Sequence, residues 1–310
     1  MTNNLNRMLI ILALLVGIPF YLLLLDNAPG QTQAKPLDIA QLRHLAASRP
    51  GPAPMWVEAE IVASRNLIGN LVAAGSGLKL EKMAITAWRL PVAGPMANLS
   101  AIHIDAGISA TDAAALNMRH YDPQAQARVA RALARSSLIV TTQARAWGAA
   151  ALPGLLAHTP AAQRPAFLAK LRLAPGQWPA HSRAPFSPAQ LLSGQVPQAV
   201  APGVVVVPTG VAPGSQMVFV RLANGREYLF TGDIAPLAAN WTQLRVHSRY
   251  LARHFGDESR NEAKSWLLTI RQLAKAAPGL VVVPGHDFGW LHNAAKRQHI
   301  RLGFSQALPR

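Results

Sequence analysis

From Met8 to Leu25 the chain reads MLIILALLVGIPFYLLLL, 18 residues without a charge. Such a run closes its own backbone hydrogen bonds as a helix, and its length is near the lower limit for crossing a bilayer core. It is long for the apolar region of a cleaved signal, and Pro19 is tolerated in a lipid-embedded helix. Arg7 and the amino terminus precede the run, and Asp26 follows it. That bias predicts a single-pass inner-membrane protein, amino terminus inside and C-terminal domain in the periplasm. The alternative is secretion after cleavage behind Thr32-Gln33-Ala34, which has small-x-small spacing. Residues 1–26 are thus read as a membrane anchor. Residues 27–54, rich in proline, alanine and glutamine, read as a tether interrupted by one amphipathic stretch, Leu37–Ala47. Residues 55–310 read as the globular body.

Half of the chain is hydrophobic and only 14% is charged, which excludes wholesale disorder. The absence of cysteine excludes a disulfide scaffold, a thiolate-held iron–sulfur cluster and a cysteine nucleophile. The net charge is +16, but apart from seven lysines the basic residues are arginines scattered among alanines, neither clustered nor interleaved with aromatics. No nucleic-acid partner is expected from that pattern. For a body outside the cytoplasm, anionic lipid headgroups or an acidic envelope polymer are the partners the charge suits.

Within the body, Met83–Leu90 and Ala101–Asp105 read as strands. Asp122-Pro123 opens a helix through Ala134 with an N-cap and a proline at its first position. Ser137–Thr141 is a short buried strand, Thr159-Pro160 opens another helix, and Pro175–Pro197 is a proline-broken loop. Val204–Val207 is a continuous apolar strand. Met217–Leu222 and Glu227–Thr231 flank Asn224-Gly225, a hairpin turn. Two helical stretches follow between Asn240 and Ala276, then a last buried strand at Gly279–Val283. Hairpins mixed with helix-linked strands predict a layered α/β (α+β) domain.

Four motifs sit at or beside strand ends: Ile104-Asp105-Ala106-Gly107, Pro213-Gly214-Ser215, Thr231-Gly232-Asp233 and Pro284-Gly285-His286-Asp287. In this order, across roughly Val57 to His292, the chain resembles the metallo-β-lactamase fold superfamily, and its lactonase-type branch most. The resemblance implies an αββα sandwich whose strand-end loops hold one or two zinc ions that activate water for hydrolysis. It also implies a ligand signature, His-x-His-x-Asp-His, after the strand at Ser137–Thr141. There Thr142 and Ala144 replace the first two histidines, Ala146 the aspartate and Trp147 the last histidine. Val211 stands where the next histidine would be. Asp233, matching the bridging carboxylate, and His286, matching the last ligand, are kept, so five of seven positions are replaced.

Zinc takes four ligands in a structural site, or three protein ligands and a water in a catalytic one. Asp233 and His286 do not make that number, so no cofactor is expected, with zinc the ion implied should the site function. Arg145, between two replaced positions, is expected to supply a positive charge to Asp233, since an unpaired buried carboxylate is costly. His286 with Asp287 is a possible acid–base pair, although no nucleophile sits in a recognisable elbow. His247 and His254, seven apart on a predicted helix, read as packing or surface residues, as do His292 and His299. His103 reads as a sheet-face residue, and His44, His120, His158 and His181 lie outside the motifs. The leading expectation is a catalytically impaired domain that binds a ligand or partner through the old cleft. The alternative is a hydrolase of ester, lactone or amide bonds with a metal-free or non-standard single-metal site.

Overall fold

The computed structural model describes residues 2–28, 30–94, 99–178, 190–254 and 258–304. Among these residues twelve strands form two sheets: β1 Glu58–Ile68, β2 Leu80–Ala93, β3 Leu99–Ile104, β4 His120–Tyr121, β5 Leu138–Val140, β6 Leu171–Arg172, β7 Gln198–Ala201, β8 Val204–Pro208, β9 Gln216–Arg221, β10 Glu227–Phe230, β11 Leu280–Val283 and β12 Arg301–Leu302. The first sheet runs β12-β1-β2-β3-β5-β6, with β4 paired to β1, and the second β11-β10-β9-β8-β7. Antiparallel hairpins form the middle of each, while β3–β5, β5–β6 and β10–β11 are parallel and linked through helices.

The inner faces meet in one apolar layer. Trp88, Leu90, Ile102, Ile104 and Val140 from the first sheet pack on Val204, Val206, Val218, Val220 and Phe230 from the second. Trp88 meets Phe230 edge-on at 5.1 Å between ring centroids, a favoured aromatic geometry. Helices cover both outer faces. Pro123–Ala134 turns Ala125, Val129 and Leu133 onto Val62, Ile85 and Ile139. Asp122 caps its first turn, its carboxylate accepting from the amides of Gln124 and Ala125. Arg260–Ala276 covers the second sheet with Trp266, Leu267, Ile270 and Leu273. The four layers are the αββα sandwich that the sequence predicts.

Two local expectations change. Residues 27–54 are no free tether: the helix Ile39–Ala47 buries Leu42 and Ala46 on the second sheet, and Arg43 pairs with Glu227 at 2.7 and 2.8 Å. Thr159-Pro160 leads into a single 3-10 turn, Ala161–Gln163, before the short helix Arg164–Ala169. The two helical stretches expected between Asn240 and Ala276 are Arg249–His254 and Arg260–Ala276, and a short helix, Ala238–Thr242, spans Asn240 itself. Part of the proline-broken loop, residues 179–189 with His181, lies outside the described residues.

Before the body comes a helix, Thr2–Phe20, whose last turn, Tyr21–Leu25, is wound as a π-helix. Asn4–Leu25 is long and apolar enough to cross a membrane, and the window that shows this is wholly exposed. Its end is held by the body. Arg249 donates to the Asp26 carboxylate at 2.8 Å, Arg260 donates to the Asp26 carbonyl, and Asn27 bonds both Leu244 O and Val246 N.

Candidate functional site

The site forms where β5, β10 and β11 end side by side. After β10 the chain turns at Gly232, whose φ of +52° is left-handed, a region glycine enters freely. After β11 it passes Gly285 so closely that a β-carbon there would run into the Gly232 carbonyl. This close approach is why both strands end in glycine, and it sets Asp233 against His286. Gly285→Ala is expected to force the two strand ends apart and cost about 1–3 kcal/mol. A urea midpoint lowered at unchanged slope would show it.

Asp233 is surrounded by donors from its own chain. His286 Nε2 lies 2.7 Å from Oδ1, Arg145 Nε lies 3.0 Å from Oδ2, and Trp147 Nε1 donates to Oδ1 at 3.2 Å. Gln143, its amide turned nitrogen-inward, donates to Oδ1 at 2.7 Å. The pairing of Arg145 with Asp233 expected from the sequence is therefore present. His286 Nδ1 faces the Ala84 carbonyl at 2.8 Å. Both ring nitrogens thus face oxygen atoms of the protein. Burial alone would raise the Asp233 carboxyl. The His286 hydrogen bond and the charges of Arg145 and His286 outweigh it and hold the group at about 2.

The loop 142–147 owes its position to Asp105, a non-glycine residue at φ +61°. Its two oxygens accept from the amide and the hydroxyl of Thr142, each at 2.8 Å. Burial is the main influence on Asp105, and with the nearby Asp233 charge it outweighs these bonds and pushes the carboxyl up to about 7.

Beside this network opens a narrow pocket of about 40 Å³. Leu67, Val72, Met83, Ile85 and Leu251 make its apolar wall, while Arg145, Trp147, Asp233, His247 and His286 make its polar end. Trp147 is part of the wall, edge-on to His286 at 5.6 Å, and leaves the pocket open.

Several expected residues stand elsewhere. Asp287 caps the helix Phe288–Lys296, accepting from Trp290 N at 2.8 Å and from Ala238 N at 3.1 Å, so it makes no acid–base pair with His286. Val211 is buried in the core against the helix Arg260–Ala276 and does not line the pocket. Ala144 and Ala146 carry no polar side-chain atom to the site. His103 is a sheet residue, its Nδ1 2.7 Å from Ser136 Oγ. Burial first, then Arg89 and Lys170, lower its imidazole to about 3.

Sequence reading missed Gln143, and it placed His247 on a helix when it precedes one. His247 is buried in the pocket wall with Nδ1 2.8 Å from both oxygens of Glu258. Burial disfavours its charge, but the Glu258 carboxylate outweighs that and raises its pKa. Its partner lies eleven residues on, a distance no helical spacing signals.

The residues do not fit a metal ion. Asp233 already accepts from four side chains, both His286 nitrogens are engaged, and among the described residues no group of three His, Cys, Asp or Glu could hold one.

Two stacked sheets between helical layers, with the polar site at the strand ends, make this a metallo-β-lactamase-type fold. Solved lactonases share it. One is a quorum-quenching N-acyl homoserine lactone lactonase, 13% identical over 77% of this chain and 95% of that chain, with a TM-score of 0.53. A second is an N-acyl homoserine lactone hydrolase with N-hexanoyl-L-homoserine at its catalytic metal centre. It is 14% identical over 78% of this chain and 96% of that chain, with a TM-score of 0.56. A third, a B. thuringiensis variant with N-decanoyl-L-homoserine bound at the active site, is 15% identical over 78% and 96%, with a TM-score of 0.54. No family model matches the sequence, and no curated protein does.

Proposed function

We propose that this chain is a membrane-anchored binding protein of the metallo-β-lactamase fold, in which the place of the metal is taken by the chain's own cations. Thr142, Ala144, Ala146, Trp147 and Val211 stand where the resemblance calls for ligands, and Asp233 and His286 are vestiges of the set. The observation that carries the reading is the Asp233 carboxylate, satisfied by Arg145, His286, Trp147 and Gln143 beside an open apolar pocket. A group already bonded on both oxygens has little left to activate a water, and without an ion the family's source of nucleophile at neutral pH is lost. The pocket suits a ligand with an apolar chain and an acceptor-bearing head directed at Arg145. The helix Asn4–Leu25 holds the body on the outer face of the inner membrane, where its positive charge suits anionic headgroups.

The test uses the full chain in lipid nanodiscs, prepared without a metal-binding tag. Elemental analysis is expected to find less than about a tenth of an equivalent of zinc, iron or manganese, with no tight uptake on adding zinc. A fluorescent polyene fatty acid is expected to bind saturably, and Leu251→Trp, which fills the pocket, to weaken it at least about tenfold, a loss of about 1.4 kcal/mol. One equivalent of metal, lost in Asp233→Ala or His286→Ala, would overturn the proposal and put a hydrolase of ester, lactone or amide bonds in its place.

A further inference from the structure

Outside the N-terminal helix, seven large hydrophobic residues are more than a third exposed among the described residues: Ile68, Leu78, Leu80, Leu191, Val196, Tyr250 and Leu302. Four of them gather where that helix meets the body. Ile68 pairs with Leu80 across the β1–β2 hairpin, and Leu78 sits in the loop between those strands. The same loop holds the helix end, Gly75 N donating to Leu24 O at 3.2 Å. Tyr250, 51% exposed, lies on the helix Arg249–His254, beside Arg249 and its bond to Asp26. Lys79, between Leu78 and Leu80 in the chain, and Arg253, on the same helix as Tyr250, are both exposed.

The clustering is opposite to what a water-facing surface favours, since a soluble domain scatters its exposed apolar residues. Leucine, isoleucine and tyrosine edged by lysine and arginine are the composition of an element lying at the boundary of headgroups and acyl chains. Position agrees with composition. The apolar helix Asn4–Leu25 runs directly into this face, and Asp26 and Asn27 bond to the body without a free linker between. A membrane crossed by that helix therefore ends against the residues that surround it. The pocket shares these elements: Leu67 precedes Ile68, Val72 precedes the Gly75 loop, and Leu251 follows Tyr250.

We infer that Ile68, Leu78, Leu80 and Tyr250, with Lys79 and Arg253, form a membrane-contact collar that seats the pocket mouth on an anionic bilayer surface. A ligand with an apolar chain then enters from the lipid side, without passing through bulk water. The inference rests on the anchored reading of the N-terminal helix given above.

The absence of cysteine makes the test direct. Leu78→Cys, Tyr250→Cys and, as a control, Ala223→Cys at the far tip of the β9–β10 hairpin each accept one fluorophore. The labelled full chains are placed in nanodiscs of phosphatidylcholine and phosphatidylglycerol in which some lipids carry a nitroxide near the headgroup. Labels at 78 and 250 are expected to lose at least about twice as much intensity as the label at 223. Adding Lys79→Glu and Arg253→Glu to Leu78→Cys is expected to reduce that quenching, most at low salt. Labels at 78 and 250 that are quenched no more than at 223, on chains retained by the discs, would overturn the collar alone. Chains that the discs do not retain would defeat the anchored reading, and the collar with it. Three labelled proteins with equal melting temperatures exclude misfolding as the source of any difference.

Discussion

Asp233→Ala is expected to destabilise the folded protein by about 3–5 kcal/mol, the loss typical of removing one partner from a buried ion pair. The substitution leaves the Arg145 guanidinium and the His286 ring facing each other with the anion between them gone. Both are largely withdrawn from water, at 17% and 11% side-chain exposure, so solvent compensates little. Arg145→Met in the Asp233→Ala background removes the stranded guanidinium and is expected to restore part of the loss. Urea unfolding of the two single variants and the double one measures the coupling. Additive losses would show that the pair does not hold this site together. Acid gives an independent reading. The folded carboxyl is held at about 2, below the ordinary carboxylate value of 3.8. Its contribution is therefore complete above about pH 4 and lost as pH falls through 2. Asp233→Ala removes that part of the acid dependence.

Asp105→Asn is expected to act in the other direction, as a stabilising change at neutral pH. The Asp105 carboxyl is raised to about 7 in the folded protein, from an ordinary 3.8. Between those values the native state keeps a proton that the unfolded chain gives up. Stability from this group is thus whole below about pH 4 and declines as pH rises to 7, by up to roughly 4 kcal/mol. Asparagine keeps the acceptor for the Thr142 amide, tolerates the left-handed backbone and has no charge to bury. The variant is expected to flatten the decline and to gain about 2–4 kcal/mol at pH 8. Unfolding midpoints from pH 4 to pH 8 in both proteins decide it, and parallel curves would refute the assignment. The two carboxylates act in different pH ranges, so each signature is read without the other.

How much of this was legible depended on whether a residue's partner was local. The Asp122 cap and the Asn224-Gly225 turn are bonded within a few residues, and both were visible. The strand ends Gly232-Asp233 and Gly285-His286 could be found because close approach demands glycine there. β1 went unread because Glu58 and Glu60 look like solvent residues. Both are buried, Glu58 against Arg89 and Glu60 against Arg128 and the Phe304 amide, partners 31 to 244 positions away. In the segment 27–54 the amphipathic stretch Leu37–Ala47 was visible, but nothing local showed that Leu37, Ile39, Leu42 and Ala46 pack on the second sheet. Arg145 was found by asking what could neutralise Asp233. His247 escaped the same question because no local pattern brings Glu258 to it.

The Arg145–Asp233 pair has a bearing on how the protein is made. A guanidinium is translated with the chain, so the two strand ends are joined as soon as the loop folds. No metal has to be loaded to make the bond, and no chelator can strip it. A contact tied in this way is the same at any metal supply.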